Sequence, residues 1–473
     1  MKHTNQVCTL QIEVLAPLHI SSGARLLPDV DYYSNAEHTY IIDSDVALDL
    51  AWQRWEAGQL SPEEQRRAAE EELTHGEERL VRRCDRYDRD LAQFPKRPAD
   101  RRKIPDWEKR KDRLVEEKEA IKVEAARLKA RHAELSQMEF MTEQGLPDEL
   151  VANSGFADLL ATKLLREEDL QSPPEGTLRP LVRYAMRGTP ATGEIYEQIK
   201  DIADRPYMPG SSLKGAIRSA LAWELAPQLA ANELGILASG GAKGADNRIE
   251  EGIFLGRDLR RMNATVRDVM RTLHVGDSRA LERGRIELAS VAIFRSQSQA
   301  NARIALEVIP AGTQMEATLQ IEQYPFTCGE ALKVLDFGAW KERMQPAALA
   351  AICRRRAAAL IEGEQSYFAR LQAAAEVARF YQELKNRLAG MGPESFLLPL
   401  GWGAGWRSKT LDTRLRGEGA ADEPFVQAVH TFKLKKHKSL NFQAGGDFPQ
   451  TRKVVMAGER IMRPLGWVEV RME

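Results

Sequence analysis

Residues 303–321, RIALEVIPAGTQMEATLQI, hold the pattern that decides the fold class. Met315, Ala317, Leu319 and Ile321 alternate with Glu316, Thr318 and Gln320, which is the period of a strand with one buried face. Arg303–Val308 is a second strand-like run. Pro310, Ala311, Gly312 and Thr313 between the two read as a hairpin turn. Outward from this stretch, Leu10, Ile12 and Val14 alternate with Gln11 and Glu13 near the start. Further strand-like pieces lie at 39–42, 178–184, 285–294 and 466–472. Residues 21–33 read as a loop, and Ser44 as the cap of a helix carrying Val46, Leu50 and Trp55. Residues 347–388 are Ala-rich and helical, with a break expected at Gly363. Strands and helices follow no regular βαβα order, so the class is α+β with antiparallel sheets rather than a doubly wound parallel sheet.

The chain has 473 residues, of which 68 are Lys or Arg and 69 Asp or Glu. A net charge of −1 excludes a strongly basic polymer binder, so any nucleic-acid surface has to be a local patch. Cys8, Cys84, Cys328 and Cys353 form no CxxC pair and have no histidine at ligand spacing, which argues against zinc and against a disulfide framework. Reduced thiols, together with the lack of an apolar signal-type start and of any long apolar run, lead to the expectation of a cytoplasmic protein with no membrane partner.

Between residues 61 and 140 the composition changes. This segment holds 21 basic and 20 acidic residues, rich in helix formers and in opposite charges three and four apart. Pro95, Pro98 and Pro105 interrupt it. It reads as a charged helical hairpin inserted into a globular body, either merely solvated or touching a partner subunit or RNA.

Four stretches could carry chemistry. In RPYMPGSSLKGAIRSALAWELA, Pro209 and Gly210 form a turn, and Ser211 or Ser212 is placed to cap a helix whose apolar stripe is Leu213, Ile217, Ala220, Leu221 and Leu225. Gly215 lies in its first turns, and Lys214 and Arg218 add charge beside a helix N-terminus, an arrangement suited to phosphate. The spacing is not that of a Walker A loop, and an ordinary capped surface helix fits equally well. In FLLPLGWGAGWRSKTL, Gly401, Gly403 and Gly405 interleave with Trp402 and Trp406, and Arg407 and Lys409 follow. Glycine, aromatic and cation together favour single-stranded nucleic acid, although a tight turn pinned by packed tryptophans has the same composition. In APLHISSGARLLPDVDYY, His19 precedes Ser22 and Gly23, and Asp29 and Asp31 follow; His19 suits a general base or a structural hydrogen bond. In LHVGDSRALERG, His274, Asp277, Ser278 and Arg279 share a turn where Asp277 can act as a cap.

The ordered blocks PLHISSG, YMPGSSLKGAIRSAL, LHVGDS, LPLGWGAGWRSKTL and PLGWVEV resemble the RAMP (repeat-associated) superfamily of CRISPR proteins, most of all the end-capping fifth subunit of the type III-A, or Csm, effector complex. The resemblance spans nearly the whole chain outside 61–140. It implies tandem ferredoxin-like (RRM-type) modules, at 1–60 plus 141–325 and at 326–473, with the 61–140 hairpin as an insertion. It implies a non-catalytic RNA-binding subunit that caps the 3′-side of the guide RNA and supports guide maturation in antiviral defence. The partners implied are CRISPR guide RNA, target RNA, other effector subunits and host trimming nucleases. No catalytic residue, metal or cofactor follows from it. RNA contacts are expected from His19, Ser22, Gly23, Pro209, Gly210, Ser211, Ser212, Lys214, Gly215, Arg218, Gly401, Trp402, Gly403, Gly405, Trp406, Arg407 and Lys409. The alternatives are an endoribonuclease of the same superfamily, using His19, His274 or a metal at Asp29 and Asp31, and a structural adaptor in another type III complex of the Cmr kind.

Overall fold

A computed structural model describes residues 5–56, 62–95, 98, 104–141, 155–171, 179–226, 251–255, 263–295, 303–416, 423–435, 441–446 and 448–473. Leu178 and most of the Pro-rich connection 96–103 lie outside these residues, as does the side chain of Trp55. The strands are β1 (Gln6–Val14), β2 (Ser21–Leu26), β3 (Tyr32–Ser34), β4 (His38–Ile42), β5 (Val182–Gly188), β6 (Ile195–Gln198), β7 (Leu273–Val275), β8 (Glu287–Arg295), β9 (Arg303–Val308), β10 (Gln314–Ile321), β11 (Ser395–Pro399), β12 (Thr451–Ala457), β13 (Arg460–Arg463) and β14 (Trp467–Met472). Helices named below are α1 (Ser44–Glu56), α2 (Pro62–Ala92), α3 (Ile104–Met141), α4 (Phe156–Ala161), α5 (Gly210–Leu225), α6 (Pro346–Phe368) and α7 (Ala375–Ala389).

The chain forms two compact units. The larger comprises residues 1–26, 34–39 and 186–473. One of its sheets has the order β11-β14-β1-β10-β7, antiparallel throughout. In chain order, β1, α5, β7, β10, α6 and β14 are a βαββαβ unit with strand order 4-1-3-2, the ferredoxin-like arrangement. The first and last strands of the chain are therefore neighbours, Ile12 opposite Val470, and the sheet draws on both sides of the module boundary placed at 325/326. Leu10, Ile12 and Val14 pack with Leu213, Ile217 and Leu221 of α5 and with Leu319 and Val470. Burying each such Leu or Ile contributes about 1.5–3 kcal/mol.

The second sheet of this unit sets β9 between β8 and β6, with β2 on β6 and β12 on β8. Here the structure corrects the hairpin reading. β9 pairs β8 and β6, while β10 pairs β1 and β7, so the turn 310–313 passes the chain from one sheet to the other. Gly312 and Thr313 exchange backbone hydrogen bonds with Val14 at 2.7 and 2.9 Å, which anchors the turn to β1 instead. A turn signal reports a local change of direction; the pairing partner is set by which apolar faces meet.

Residues 21–26, expected in a loop, form β2, with a bulge between Ser21 and Arg25 that Gly23 accommodates at φ +93°. Gly363 does not break α6, which runs on to Phe368; a Cβ there would stand 3.2 Å from Arg407 Nη1, so the glycine makes room for that guanidinium.

The smaller unit comprises residues 27–33 and 40–185. Its core joins Val46, Leu50 and Ala51 of α1 to Phe156 and Leu159 of α4 and to Leu165 and Leu181. Asp43, not Ser44, caps α1: its Oδ1 accepts from Val46 N at 3.3 Å, while the Ser44 hydroxyl donates to the Val30 carbonyl. The charged segment forms the expected pair of helices, α2 and α3, tied by Arg83 to Glu117 at 2.5 Å and to Glu124 at 2.8 Å. No helix among the described residues is long and apolar enough to cross a membrane.

Candidate nucleic-acid interface

The glycine-rich segment follows β11 directly. Gly401 has φ +79°, and a Cβ there would sit 2.5 Å from the His19 carbonyl oxygen. Trp402 N donates to that same carbonyl at 2.7 Å, so the bend is stitched to the chain just beyond β1. Gly403, at φ +88°, faces the Leu465 side chain, whose Cδ1 would lie 2.8 Å from a Cβ. Only glycine tolerates both the left-handed backbone and the contact. Arg356 of α6, buried, fixes the rest of the loop by donating through Nη2 to the carbonyls of Arg407, Ser408 and Thr410 at 3.3, 2.8 and 3.1 Å. Burial lowers its pKa to about 10.

The two tryptophans have different surroundings. Trp406 is a packing residue, 4.9 Å from the Phe448 ring and edge-on to Phe425. Trp402 lies in a row of four side chains. The Arg25 guanidinium, ion-paired with Glu194 at 2.6 Å, stands 4.9 Å from the centre of the Tyr196 ring. The Tyr196 and Trp402 rings lie 6.2 Å apart at 32°. The Lys453 ammonium sits 4.1 Å over Trp402. Two π-faces are thus bracketed by two cations. Burial and then the charge of Lys409 hold the Lys453 pKa below that of an ordinary lysine.

His19 packs edge to face against Trp402 and is fully buried. Its Nδ1 lies 2.8 Å from the Glu307 carbonyl, so that nitrogen carries the proton and donates. Burial lowers its pKa, keeping the ring neutral. The Glu307 carboxylate, also buried, accepts from Gln198 N at 2.9 Å and from Lys200 Nζ at 2.6 Å. His19 is a structural post beneath the row, without the solvent access a general base needs. Ser22 donates to Glu197 at 2.8 Å on the exposed part of β2.

The helix after the PGSS turn forms where expected, but its cap differs. Pro209, at φ −61°, is the N-cap, and neither Ser211 nor Ser212 makes a side-chain cap. The Gly210 N–H donates instead to Asp277 Oδ1 at 2.8 Å, and Met208 N donates to Ser278 Oγ at 2.9 Å. A Cβ on Gly210 would lie 2.1 Å from the Val275 carbonyl, so glycine lets the helix start against β7. A carboxylate of the chain thus already occupies the first N–H of this N-terminus, which works against a second anion there. Arg218 is committed too, paired with Asp268 at 2.9 Å and lying over the Phe254 ring at 4.0 Å. Lys214 is half-buried, and desolvation lowers its pKa more than the nearby Asp268 raises it. Gly215 has open space where a side chain would go.

Arg407 lies between Glu364, at 3.6 Å, and Asp412, at 3.3 Å. Arg452 Nε donates to the same Glu364 at 2.6 Å. Asp29 pairs with Arg127, and Asp31 accepts from Leu27 N at 2.8 Å, both within the smaller unit. His274 pairs with Glu322 at 3.1 Å. No group of three metal-binding side chains occurs among the described residues. Arg25, Tyr196 and Lys453 escape a sequence reading: each stands alone in an ordinary strand, with no motif around it.

The family model of the RAMP superfamily matches residues 11–407. The chain belongs to the RAMP superfamily. Among solved structures, this RAMP chain is similar to one in the cryo-EM structure of a Csm–crRNA–target RNA ternary complex of a type III-A CRISPR–Cas system, at 19% identity and a TM-score of 0.56, with 98% of this chain and 100% of that chain covered. It is also similar to T. onnurineus Csm5 in its crystal structure, at 19% identity and a TM-score of 0.49, covering 97% and 99%. No curated protein matches. The ferredoxin-like architecture read from the blocks is thus the architecture found.

Proposed function

We propose that this RAMP protein is a non-catalytic, RNA-binding end subunit of a type III-A CRISPR effector complex, capping the 3′-side of the guide RNA and supporting its maturation. The observation that carries the RNA-binding part is the row Arg25–Tyr196–Trp402–Lys453 beside the Gly401–Gly405 bends. Cations that flank aromatic faces hold a phosphate chain without reading bases, as a guide of variable sequence requires. The likeness to a chain of a Csm–crRNA–target RNA complex supports the assembly, with guide RNA, target RNA, other subunits and trimming nucleases as partners. Lys409 and Lys214 add charge; the Arg25–Glu194 pair is exposed and can exchange for phosphate, whereas the more buried pairs of Arg218 and Arg407 serve the fold.

The test is assembly of the full complex with Arg25→Glu and Lys453→Glu. Retained guide RNA is expected to fall, and the slope of log affinity against log salt to flatten by roughly 1–2. Full retention with an unchanged slope overturns the reading and leaves the adaptor alternative. RNA cleavage by the purified chain that is abolished by His274→Ala, at an exposed histidine, favours the endoribonuclease.

A further inference from the structure

We infer that the far end of the α2–α3 arm is a second single-stranded RNA contact, with a cleft between the helices that receives one nucleotide. Three observations converge. The first is the cleft itself, about 480 Å³, lined by Arg86, Tyr87, Phe94, Arg110, Arg113 and Leu114 together with Asp90, Gln93, Pro95 and Glu117. That is the size range of small-molecule sites and accommodates a base with its ribose.

The second is charge. Three of the lining side chains are arginines, against two acids. Of the two acids in the cleft, Glu117 is neutralised by Arg83 at 2.5 Å. Arg86, Arg110 and Arg113 are exposed and have no hydrogen bond or ion pair among the described residues.

The third is the aromatic lining. Tyr87 and Phe94 are half-buried in the wall, and Phe94 is held by the Trp107 ring at 5.5 Å. Trp107 is itself fixed by donating to the Pro95 carbonyl at 2.8 Å. Fixed aromatic edges with unpaired guanidinium groups fit a base and its phosphates better than an acidic peptide, which offers no planar ring to stack.

This contact is separate from the proposed Trp402 interface and is tested separately. Full-length protein is titrated into a fluorescein-labelled 20-nucleotide uridine homopolymer, and anisotropy is read from 50 to 300 mM salt. The triple variant Arg86→Gln/Arg110→Gln/Arg113→Gln is expected to bind at least tenfold more weakly, with a slope flatter by about 2. These side chains are exposed, so its melting temperature should match that of the parent; a photocrosslink from 4-thiouridine to Tyr87 or Phe94 in the unmodified protein gives an independent reading. Unchanged affinity with no crosslink on the arm overturns the inference, whatever Lys453→Glu does. So does unchanged RNA binding combined with loss of the variant from the assembled complex, which would make the arm a protein contact.

Discussion

The Asp277 carboxylate accepts the Gly210 N–H at 2.8 Å, so the α5 N-terminus is capped from the turn after β7, 67 residues further along the chain. Capping by a distant residue ties the helix to the sheet as well as satisfying an amide. Asp277→Ala is expected to cost about 1–2 kcal/mol, seen as a fall of a few degrees in melting temperature. Asp277→Asn keeps the acceptor and should lose less. Equal loss in both variants would place the effect elsewhere.

The glycines of the 401–405 loop are unequal. Gly401 has both positive φ and the His19 carbonyl 2.5 Å from any Cβ, while Gly405 has φ +95° and open space. Gly405→Ala therefore carries only backbone strain, about 1–2 kcal/mol. Gly401→Ala adds a backbone clash and should lower the melting temperature clearly further. Indistinguishable melts for the two would remove the contact with His19 as a cause.

Glu364 is the shared partner of two buried or nearly buried arginines, Arg452 at 2.6 Å and Arg407 at 3.6 Å. Removing its charge leaves Arg452 without its carboxylate inside the fold and Arg407 with Asp412 alone. Glu364→Gln is expected to destabilise by roughly 3–5 kcal/mol. Thermal denaturation checks this, and a shift under about 2 °C would mean that water reaches the cluster freely.

Lys453 is held in a partly desolvated position, with its pKa lowered first by burial and then by Lys409. A lysine whose folded pKa is depressed binds its proton less tightly folded than unfolded. Stability then rises with pH from the lowered folded pKa up to the unfolded value of about 10.4. Lys453→Met should make the free protein more heat-stable near neutral pH, with the gain shrinking as pH climbs through that window, and should weaken RNA binding. A variant less stable at pH 7, or one that binds RNA as before, contradicts the role given to this ammonium.

Local order was legible in the residues themselves. Alternation at Leu10–Ile12–Val14 and at Met315–Ile321 marks β1 and β10 and their buried faces, because side-chain period depends only on neighbours along the chain. Proline positions and helix-forming composition likewise mark the arm as two helices. The family could also be read from the ordered blocks, since the glycine at 401 combines a positive φ with a backbone contact that leaves no room for a Cβ. Which strands meet was decided only in three dimensions: the turn at 310–313 looks like a hairpin, yet β9 and β10 enter different sheets because their apolar faces find different partners. The same holds for charge. Nothing near Arg218 in sequence announces that Asp268 neutralises it, or that Asp277 fills the helix N-terminus, or that Arg25 and Lys453 bracket Tyr196 and Trp402. Coulomb attraction and desolvation act through space, and chain separation carries no information about either.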